Sequence, residues 1–449
     1  MNLVYGVKDK PKATQTIVFA IQQVLAILAA TIAVPAIIGN GMSQSAALFG
    51  AGVGTLVYQL FTKFRSPVFL GSSFAFLPSM GAAFAGAASI SAGYAGLIVG
   101  AVMAGLVYVV ISLFVKFVGV NWISKFMPPV VIGPTVAIIG LSLAGNAVGD
   151  TLKTAAQAPA VDAATGAYVM DTHAWICLIC ALVTLFVVVI ASVYGKKMAK
   201  LIPFIIGIGA GYIVATVFTL IGNATDNAAL QIVDFSKFKD MHWVPDFTFI
   251  EAFKGVKDID ATFIGSIAVA YVPMAFVVFA EHIADHKNLS SIIGSDLLED
   301  PGLDKTLLGD GVGSMVGAFF GGCPNTTYGE SVGCVAITGN ASVITITVTA
   351  IIAILASFFA PFVTFLATIP ACVMGGVCVT LYGFIAVSGL KMLQKVDLGD
   401  NGNLFTASTI LIVGVGGMKL LVGKVLLTAI AVALLLGIVV NVVVSKKKN

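Results

Sequence analysis

The chain has 449 residues, of which 59% are hydrophobic and only 10% are charged, and its formal net charge is +3. Soluble domains carry roughly 25% charged residues, so this composition excludes a water-soluble globular protein and indicates that lipid is the solvent. The small net charge does not indicate a nucleic-acid partner, and none is predicted.

Apolar stretches bounded by Gly, Pro, Asn or charged residues recur along the whole chain. The polar N-terminus is followed by an apolar run of about twenty residues, which predicts a spanning helix rather than a cleaved signal peptide. Two shorter segments, 67–86 and 322–338, are interrupted by Gly and Ser and are predicted to be broken crossings, which brings the total to about fourteen transmembrane segments. The uninterrupted spans are predicted at 16–38, 44–62, 91–115, 127–146, 173–194, 201–222, 261–285, 305–321, 341–367, 371–392, 404–420 and 423–444.

Basic residues near the ends of the spans predict the topology, because cytoplasmic loops are enriched in Lys and Arg. The acidic linkers 147–172 and 223–260 are predicted to lie outside, although the second also carries lysines. The chain is therefore predicted to be a multi-pass protein of the cell (plasma or inner) membrane with both termini in the cytoplasm. The basic residues assigned to the cytoplasmic side are Lys8, Lys10, Lys12, Lys63, Arg65, Lys116, Lys125, Lys196, Lys197, Lys200, Lys446, Lys447 and Lys448.

The two broken segments occupy matching places, each third in a run of seven. Each is followed by one long span and then by a Pro-x-x-x-x-Gly start, at Pro128 and at Pro370. Because seven is an odd number, the second half enters the membrane in the opposite orientation. This pattern predicts inverted repeats at 1–222 and 247–449, with a substrate site near the midplane where the interrupted helices meet. The alternative is that the Gly-rich stretches only allow close helix packing.

Both broken segments have the pattern of a short strand that leads into the start of a helix. The first runs from Val68 to Phe76 with Ser72 or Ser73 as the predicted helix cap, and the second runs from Cys323 to Glu330. The first N–H groups of a helix have no partner within it, and hydrocarbon offers none. A ligand carbonyl is therefore the expected acceptor.

Acidic side chains lie beside these breaks. Glu330 follows the second break directly, and Glu281 and Asp285 are four residues apart, which places them on one helix face. A charge at the membrane centre costs roughly 2.5–3.5 kcal/mol on insertion scales, which favours a functional role for these carboxyl groups. The alternative for Asp285, together with His286 and Lys287, is a helix end solvated by cytoplasmic water. Asp310 is consistent with two roles, a residue at the start of a helix or a buried partner of another polar group.

These groups suit a flat heterocycle with alternating N–H and C=O edges. The carboxylates accept the N–H groups, the helix-start amides donate to the carbonyls, and Phe74 is placed to stack on the ring. Neither break contains Arg or Lys, which disfavours an anionic solute. Neighbouring carboxylates repel when both are ionised, so one of them is predicted to bind a proton and to couple proton and solute binding.

Other classes of protein are less consistent with the sequence. A channel requires a continuous polar pore, whereas interrupted helices beside acids indicate alternating access. An enzyme requires a catalytic cluster, and although His282 and His286 have a spacing that can hold zinc, no metal, cofactor or enzymatic activity is predicted. The Cys177-x-x-Cys180 pair lies in an apolar helix and is interpreted as two unreactive structural thiols.

The breaks and the acidic helix resemble the nucleobase–ascorbate transporter family. The resemblance covers nearly the whole chain and is most specific in the runs Gly71 to Phe76, Ala280 to His282, Asp300 to Leu303 and Pro324 to Glu330. It implies an all-α fold of fourteen spans in two inverted halves, with a core domain (spans 1–4 and 8–11) and a gate domain (spans 5–7 and 12–14), which works as a homodimer by elevator-type alternating access.

The resemblance also implies how a substrate is bound. Uracil would be held by the Glu281 and Glu330 side chains and by the backbone amides of Phe74 and Gly329, in a pocket lined by Ser73, Tyr328 and Ala30. Proton coupling would involve Glu281, Asp285 and Asp310. The implied activity is proton-coupled uptake of a nucleobase, with uracil preferred; the alternatives are a xanthine or purine symporter of the same family and, more remotely, an anion transporter of the same fold.

Three positions depart from the family pattern. The histidine of a Gln-His pair in the first span is absent here, where the sequence reads Gln22-Gln23. Asp285 stands where uracil carriers of the family have a proton-linked histidine, and an aspartate there is typical of its purine carriers. Ser331 replaces an asparagine of the family signature. These departures leave the proton acceptor open.

Overall fold

The computed structural model describes residues 3–119, 128–196, 198–422 and 425–445. The helices are α1 (Ala13–Ile38), α2 (Gln44–Phe61), α3 (Leu77–Ala85), α4 (Ile90–Val118), α5 (Pro129–Ser142), α6 (Ala144–Thr151), α7 (Thr172–Tyr194), α8 (Met198–Leu201), α9 (Pro203–Ala224), α10 (Thr248–Gly255), α11 (Ala261–Ile293), α12 (Leu303–Gly321), α13 (Gly329–Thr338), α14 (Val343–Ser357), α15 (Ala360–Thr368), α16 (Ala371–Leu393), α17 (Asn401–Val415) and α18 (Ala429–Ser445). The strands are β1 (Leu70–Ser72), β2 (Ala160–Val161), β3 (Tyr168–Val169), β4 (Asn325–Thr327), β5 (Leu420–Val422) and β6 (Val425–Leu427).

Seven helices of the described chain are long and apolar enough to cross a membrane: α1, α4, α5 together with α6, α7, α9, α11 and α16. Counting α14 and α15 as one broken span gives eight. The fold is thus mostly helical and multi-pass, as predicted, whereas the total of fourteen spans, the inverted repeats and the core and gate domains stay predictions. Of the basic residues used for the topology, Lys125, Lys197 and Lys446 to Lys448 lie outside the described residues.

Four predicted spans differ clearly from the observed helices. The span 423–444 is helical only from Ala429, because Val425–Leu427 forms strand β6. The span 341–367 is interrupted after Ser357, because the helix that follows begins at Ala360 with Pro361 in its first turn, where proline is well tolerated. The span 404–420 ends at Val415, and the chain turns into the β5–β6 hairpin. The span 261–285 continues to Ile293, so the residues after Glu281 lie within a helix rather than at its end.

Local capping residues account for where several long helices begin. Asp260 accepts a hydrogen bond from the Phe263 N–H at 2.7 Å at the start of α11. At the start of α7, Asp171 accepts from the Ala174 N–H at 2.7 Å, and this bond, with a second from the backbone N–H of Ala155, holds the pKa of the Asp171 carboxyl below its usual range. Such caps satisfy N–H groups that the helix itself leaves unpaired. Ser43, Ser89 and Asp400 cap α2, α4 and α17 in the same way.

The chain divides into two compact units, of which the first comprises Met1–Ser142, Pro245–Leu355 and Ile385–Asn449. Within it α12 packs along α2 and α4, and glycines let the backbones approach. A Cβ atom on Gly54 would lie 2.7 Å from the carbonyl oxygen of Gly313. Asn325 Nδ2 donates to the Gly50 carbonyl at 3.1 Å, which fixes β4 to α2.

The N-terminal residues of this first unit pair with the turn after α13. The N–H of Val4 donates to Gly339 O at 2.8 Å, and the N–H of Ala341 donates to Tyr5 O at 2.9 Å. The Ser342 hydroxyl donates to Asp9 O at 2.7 Å. The chain's start therefore holds the C-terminal end of the short helix that begins at the second break.

The second unit comprises Leu143–Val244 and Ala356–Phe384. Helices α7 and α9 pack against each other in it, and β2 and β3 form an antiparallel hairpin with Ala160 opposite Val169. The Tyr212 and Thr368 hydroxyls are hydrogen-bonded at 2.8 Å, which ties α9 to the end of α15. The predicted outer linkers contribute the hairpin and the loop after α9 to this unit.

Candidate functional site

The two predicted breaks meet in the first unit through their strands. β1 and β4 pair antiparallel with Leu70 opposite Thr327 and Ser72 opposite Asn325. The N–H of Ser73 donates to Pro324 O at 2.9 Å and extends the pairing by one residue. Strand pairing satisfies the backbone groups of both extended segments, which is why non-helical backbone is tolerated deep in this unit.

Each strand leads directly into a helical element that no side chain caps. After β1 the chain forms a turn of 3-10 helix at Phe74–Phe76 and continues as α3, whereas after β4 it enters α13 at Gly329. The predicted cap by Ser72 or Ser73 is wrong, since the turn begins after Ser73 without a side-chain hydrogen bond. Both starts direct the positive end of their backbone dipoles toward the space beside the strands.

Three carboxyl groups lie near the start of α13. Glu281 and Asp285 lie one turn apart on α11, and Glu330 lies in the first turn of α13. The Glu281 carboxyl interacts electrostatically with those of Asp285 and Glu330. The Thr327 hydroxyl donates to Asp285 Oδ2 at 2.7 Å, which joins α11 to β4. The structure therefore brings together the acids that sequence analysis placed at one site.

The predicted site residues differ in how far they are exposed to solvent. Gly329 is exposed, and Phe74, Glu281, Asp285 and Glu330 are half-buried, so each presents surface to the open space. A Cβ atom on Gly329 would contact only Asp285 Oδ1, at 3.9 Å, which shows that the helix start is open on that side.

The remaining predicted pocket residues are buried. Tyr328 donates its hydroxyl to Ser72 O at 2.8 Å, and its ring packs against Gly71, where no side chain larger than hydrogen fits. Ser73 and Ala30 are each only 1% exposed. Tyr328 and Ser73 are thus buried parts of the breaks themselves, and Ala30 is buried within α1. Their direct contact with a substrate stays a prediction.

A hydrogen-bonded network lies beneath the carboxyl groups. His282 bonds Asp310 Oδ2 at 2.6 Å and the Thr306 hydroxyl at 3.0 Å through its two ring nitrogens. His286 bonds the Tyr58 hydroxyl at 2.7 Å. Asp310 is thus a buried partner, and the alternative that His286 lies at a solvated helix end is wrong, because α11 continues past it and its side chain is fully buried.

The same network determines whether His282 and His286 have ring nitrogens available to bind zinc. The second ring nitrogen of His286 bonds the His282 carbonyl at 2.8 Å, so all four ring nitrogens have protein partners. Among the residues that the structure describes, no group of three or more His, Cys, Asp and Glu side chains is arranged to hold a metal ion. The histidines therefore serve as hydrogen-bonding partners between α11, α12 and α2.

One contact of the site was missed by sequence analysis. Gln23 donates from Nε2 to the hydroxyl of Ser331 and, at 3.3 Å, to its carbonyl oxygen, and both side chains are buried. This contact ties α1 to the first turn of α13, next to Glu330. Both residues had been noted as departures from the family pattern, but their separation of 308 positions gives no local signal that they meet.

The fold is one that solved membrane transporters share. The transmembrane domain of the bicarbonate transporter BicA from a cyanobacterium superposes with a TM-score of 0.63 at 15% identity, covering 97% of this chain and 99% of that one. The murine anion transporter Slc26a9 in its inward-facing state gives a TM-score of 0.64 at 13% identity, covering 98% of this chain and 69% of that one. This likeness concerns the fold alone, and it places the chain in the class of multi-pass membrane proteins built on a transporter fold.

Sequence comparison narrows the class to a family. A profile described as "Permease family" matches residues 14–423. The uracil permease of Bacillus caldolyticus is 37% identical over 98% of this chain and 94% of its own length. The uracil permeases of Bacillus subtilis (strain 168) and Escherichia coli (strain K12) are 36% and 33% identical, over 99% and 96% of this chain and 96% and 92% of their own lengths. The chain belongs to this permease family and is a membrane transporter.

Proposed function

We propose that the chain takes up a nucleobase, with uracil as the preferred substrate, together with a proton. The observation that carries the proposal is the meeting of two uncapped helix starts with the Glu281 and Glu330 carboxyl groups around the exposed Gly329. Uracil presents alternating C=O and N–H groups on one planar ring. The amides at the helix starts donate to its carbonyls, and the carboxylates accept from its N–H groups.

Phe74 supplies the apolar part of the proposed pocket. It is half-buried and lies at the start of the turn that packs on α11, the helix that carries Glu281. An aromatic ring there stacks on the face of a planar base, while the amides and carboxylates form hydrogen bonds with its edge. The names of the similar uracil permeases support the same substrate.

Proton coupling is assigned to Glu281 and Asp285, with Asp310 as a buried support. Two carboxylates one helical turn apart, with Glu330 nearby, are costly to keep fully ionised, because like charges repel strongly where water is scarce. A proton bound by this cluster lowers that repulsion and favours substrate in the same pocket. Thr327 holds Asp285 in place through its hydroxyl.

We further propose that transport proceeds by elevator-type alternating access in a homodimer, with both termini in the cytoplasm. These features are carried over from the family resemblance and from the lysine distribution. The alternative substrate is xanthine or another purine, which Asp285 favours because an aspartate at that position is typical of the family's purine carriers. An anionic substrate is less consistent with a site whose charged side chains are carboxylates.

Radiolabelled uracil uptake in cells that lack their own uracil permease tests the proposal. We expect saturable uptake that unlabelled uracil suppresses more than xanthine, thymine or cytosine, and that collapses when a protonophore removes the pH gradient. Strong suppression by xanthine with weak suppression by uracil would establish the purine alternative. Uptake that persists without the gradient would reject proton coupling while leaving the choice of substrate standing.

A further inference from the structure

A second cavity, separate from the carboxyl site, lies within the second unit. Its volume is about 720 Å³, and its walls include Lys153, Gln157 and the segment 231–237. His173 and Cys177 of α7 and Cys372 at the start of α16 also line it. A cavity of this size with polar walls admits water and small solutes.

The cysteines at this cavity are in mutual contact. Cys177 and Cys372 lie one turn before Ala181 and Gly376, where the two helices approach so closely that a Cβ atom on Gly376 would overlap the Ala181 carbonyl oxygen. The Cys177 thiol interacts with Cys372 and with His173, and Cys372 also interacts with Cys180. His173, Cys177 and Cys180 recur at intervals of four and three residues, so they share one face of α7. All three thiols are free in the structure.

His173 is arranged as a base for the Cys177 thiol. Its Nδ1 lies 3.0 Å from the carbonyl oxygen of Ala229, to which it donates. In a neutral imidazole this leaves Nε2 as the acceptor, and the thiol of Cys177 is the donor that the ring contacts. A nucleophile, a base and a group that orients the base are the parts of an activated thiol.

Metal binding is a less suitable role for this cluster. In the part of the chain that the structure describes, no set of three or more His, Cys, Asp and Glu side chains has an arrangement for a metal ion. Covalent chemistry of the thiols requires only that two sulfur atoms approach each other and that a small reagent reaches one of them. The contact between Cys177 and Cys372 meets the first requirement, and the cavity meets the second.

We infer that Cys177 and Cys372 form a redox modification site, in which hydrogen peroxide that enters the cavity oxidises the pair to a disulfide. The proton of the Cys177 thiol passes to His173, the thiolate sulfur attacks one peroxide oxygen, the O–O bond breaks, and one water leaves with the proton that His173 returns. The Cys372 sulfur then attacks the Cys177 sulfenic acid, forming the S–S bond and releasing a second water. Two thiols lose two electrons, and the peroxide is reduced to two waters.

The predicted topology places the cavity wall on the outer side of the membrane, where oxidants are available. The linkers 147–172 and 223–260, predicted to lie outside the cell, contribute Lys153, Gln157 and the segment 231–237 to the cavity wall. The outside of a cell is the compartment in which disulfides form and persist. Cys177 and Cys372 are only 3% and 2% exposed, so the site selects small oxidants over bulky thiol reagents. This inference departs from the interpretation of Cys177 as an unreactive structural thiol, and the experiments below distinguish the two.

Peptide mapping of the full-length purified protein tests the inference directly. After treatment with hydrogen peroxide and alkylation of the remaining thiols, we expect a peptide pair linked between Cys177 and Cys372 that disappears on reduction with a phosphine. Cys372→Ser should instead leave a sulfenic acid at Cys177, which dimedone labels when the peroxide is removed and the protein is unfolded in its presence. Cys378→Ser is the matched control, because Cys378 lies on the same helix and is 1% exposed but does not belong to the cavity lining.

The role of His173 as a base is tested by the rate at which Cys177 is oxidised. His173→Asn retains a donor for the Ala229 carbonyl but lacks the base, so dimedone labelling of Cys177 in the Cys372→Ser background should slow by about tenfold or more and lose its pH dependence near neutrality. A peroxide-induced link between Cys180 and Cys372, or oxidation of Cys378 ahead of Cys177 in the unaltered protein, would overturn the inference. Both outcomes are read in the parent protein and do not depend on the folding of a variant.

Discussion

Glu330→Gln is the substitution that tests the carboxyl site most directly. Glutamine has nearly the same size as glutamate, so the first turn of α13 keeps its packing, but the charged acceptor is replaced by a neutral amide. Glu330 is half-buried beside the exposed Gly329, and it belongs to the same electrostatic cluster as Glu281. The substitution therefore changes the charge at the proposed pocket while leaving the backbone in place.

The expected magnitude follows from the type of hydrogen bond that is weakened. A hydrogen bond to a charged group contributes about 1.5–3 kcal/mol, against about 0.5–1.5 kcal/mol for a neutral pair. The difference is about 1–1.5 kcal/mol, and since each 1.4 kcal/mol corresponds to a tenfold change in affinity, Glu330→Gln should weaken uracil binding by about fivefold to tenfold. Glu330→Ala, which leaves no acceptor, should weaken it further.

The assay is equilibrium binding of radiolabelled uracil to the purified protein in detergent, with elution volume in size-exclusion chromatography as the check of folding. Glu299→Gln is the control, because Glu299 is exposed and the substitution removes the same charge. Unchanged affinity in Glu330→Gln would remove Glu330 from the site. An equal loss in Glu299→Gln would mean that overall charge, rather than a direct contact, governs binding.

Substitutions at three further positions test the support of the site and one helix cap. Gly71→Ala should lower the melting temperature, at a cost of about 1–3 kcal/mol, because the new methyl group would overlap the tyrosine ring packed on it; a protein as stable as the parent would refute that packing. Asp310→Ala should cost about 1–3 kcal/mol in thermal unfolding, since it leaves His282 without its acceptor, and Asp310→Asn should recover much of the loss by restoring an oxygen. Asp171→Ala should cost about 1 kcal/mol near pH 7. Because backbone N–H groups lower the pKa of that carboxyl in the folded protein, its contribution is present above its unfolded pKa and is lost as the pH falls through the lowered value, so the gap between parent and variant in unfolding scans should close in acid.

The elements that sequence predicted well are those with a local chemical signal. Gly71 with the two serines after it, and the Asn-Thr-Thr run before Tyr328, combine extended and helix-starting residues within a few positions. The structure shows a strand followed by a helix start at both places. Glu281 and Glu330 were recognisable because an acid in an apolar segment is costly and requires a reason.

The features that sequence missed depend on residues far apart in the chain. His286 was assigned to a solvated helix end from its polar neighbours, whereas its burial depends on Tyr58, 228 positions away. The contact between Gln23 and Ser331 is equally remote. By contrast, the break before Ala360 had a local signal in Pro361 that the long apolar stretch concealed.

The antiparallel pairing of β1 with β4 has a consequence for how the protein is made. Tyr328 and Ser72, joined by a hydrogen bond, are 256 positions apart, so the first strand enters the bilayer long before its partner has been synthesised. Until then its backbone amides must be shielded by water, lipid headgroups or the insertion machinery, because hydrocarbon offers them no partner. A nascent chain arrested before Asn325 would therefore present an unpaired strand within the membrane, a recognisable target for quality-control proteases. The transport site therefore cannot be completed until synthesis has passed Glu330 of the 449-residue chain.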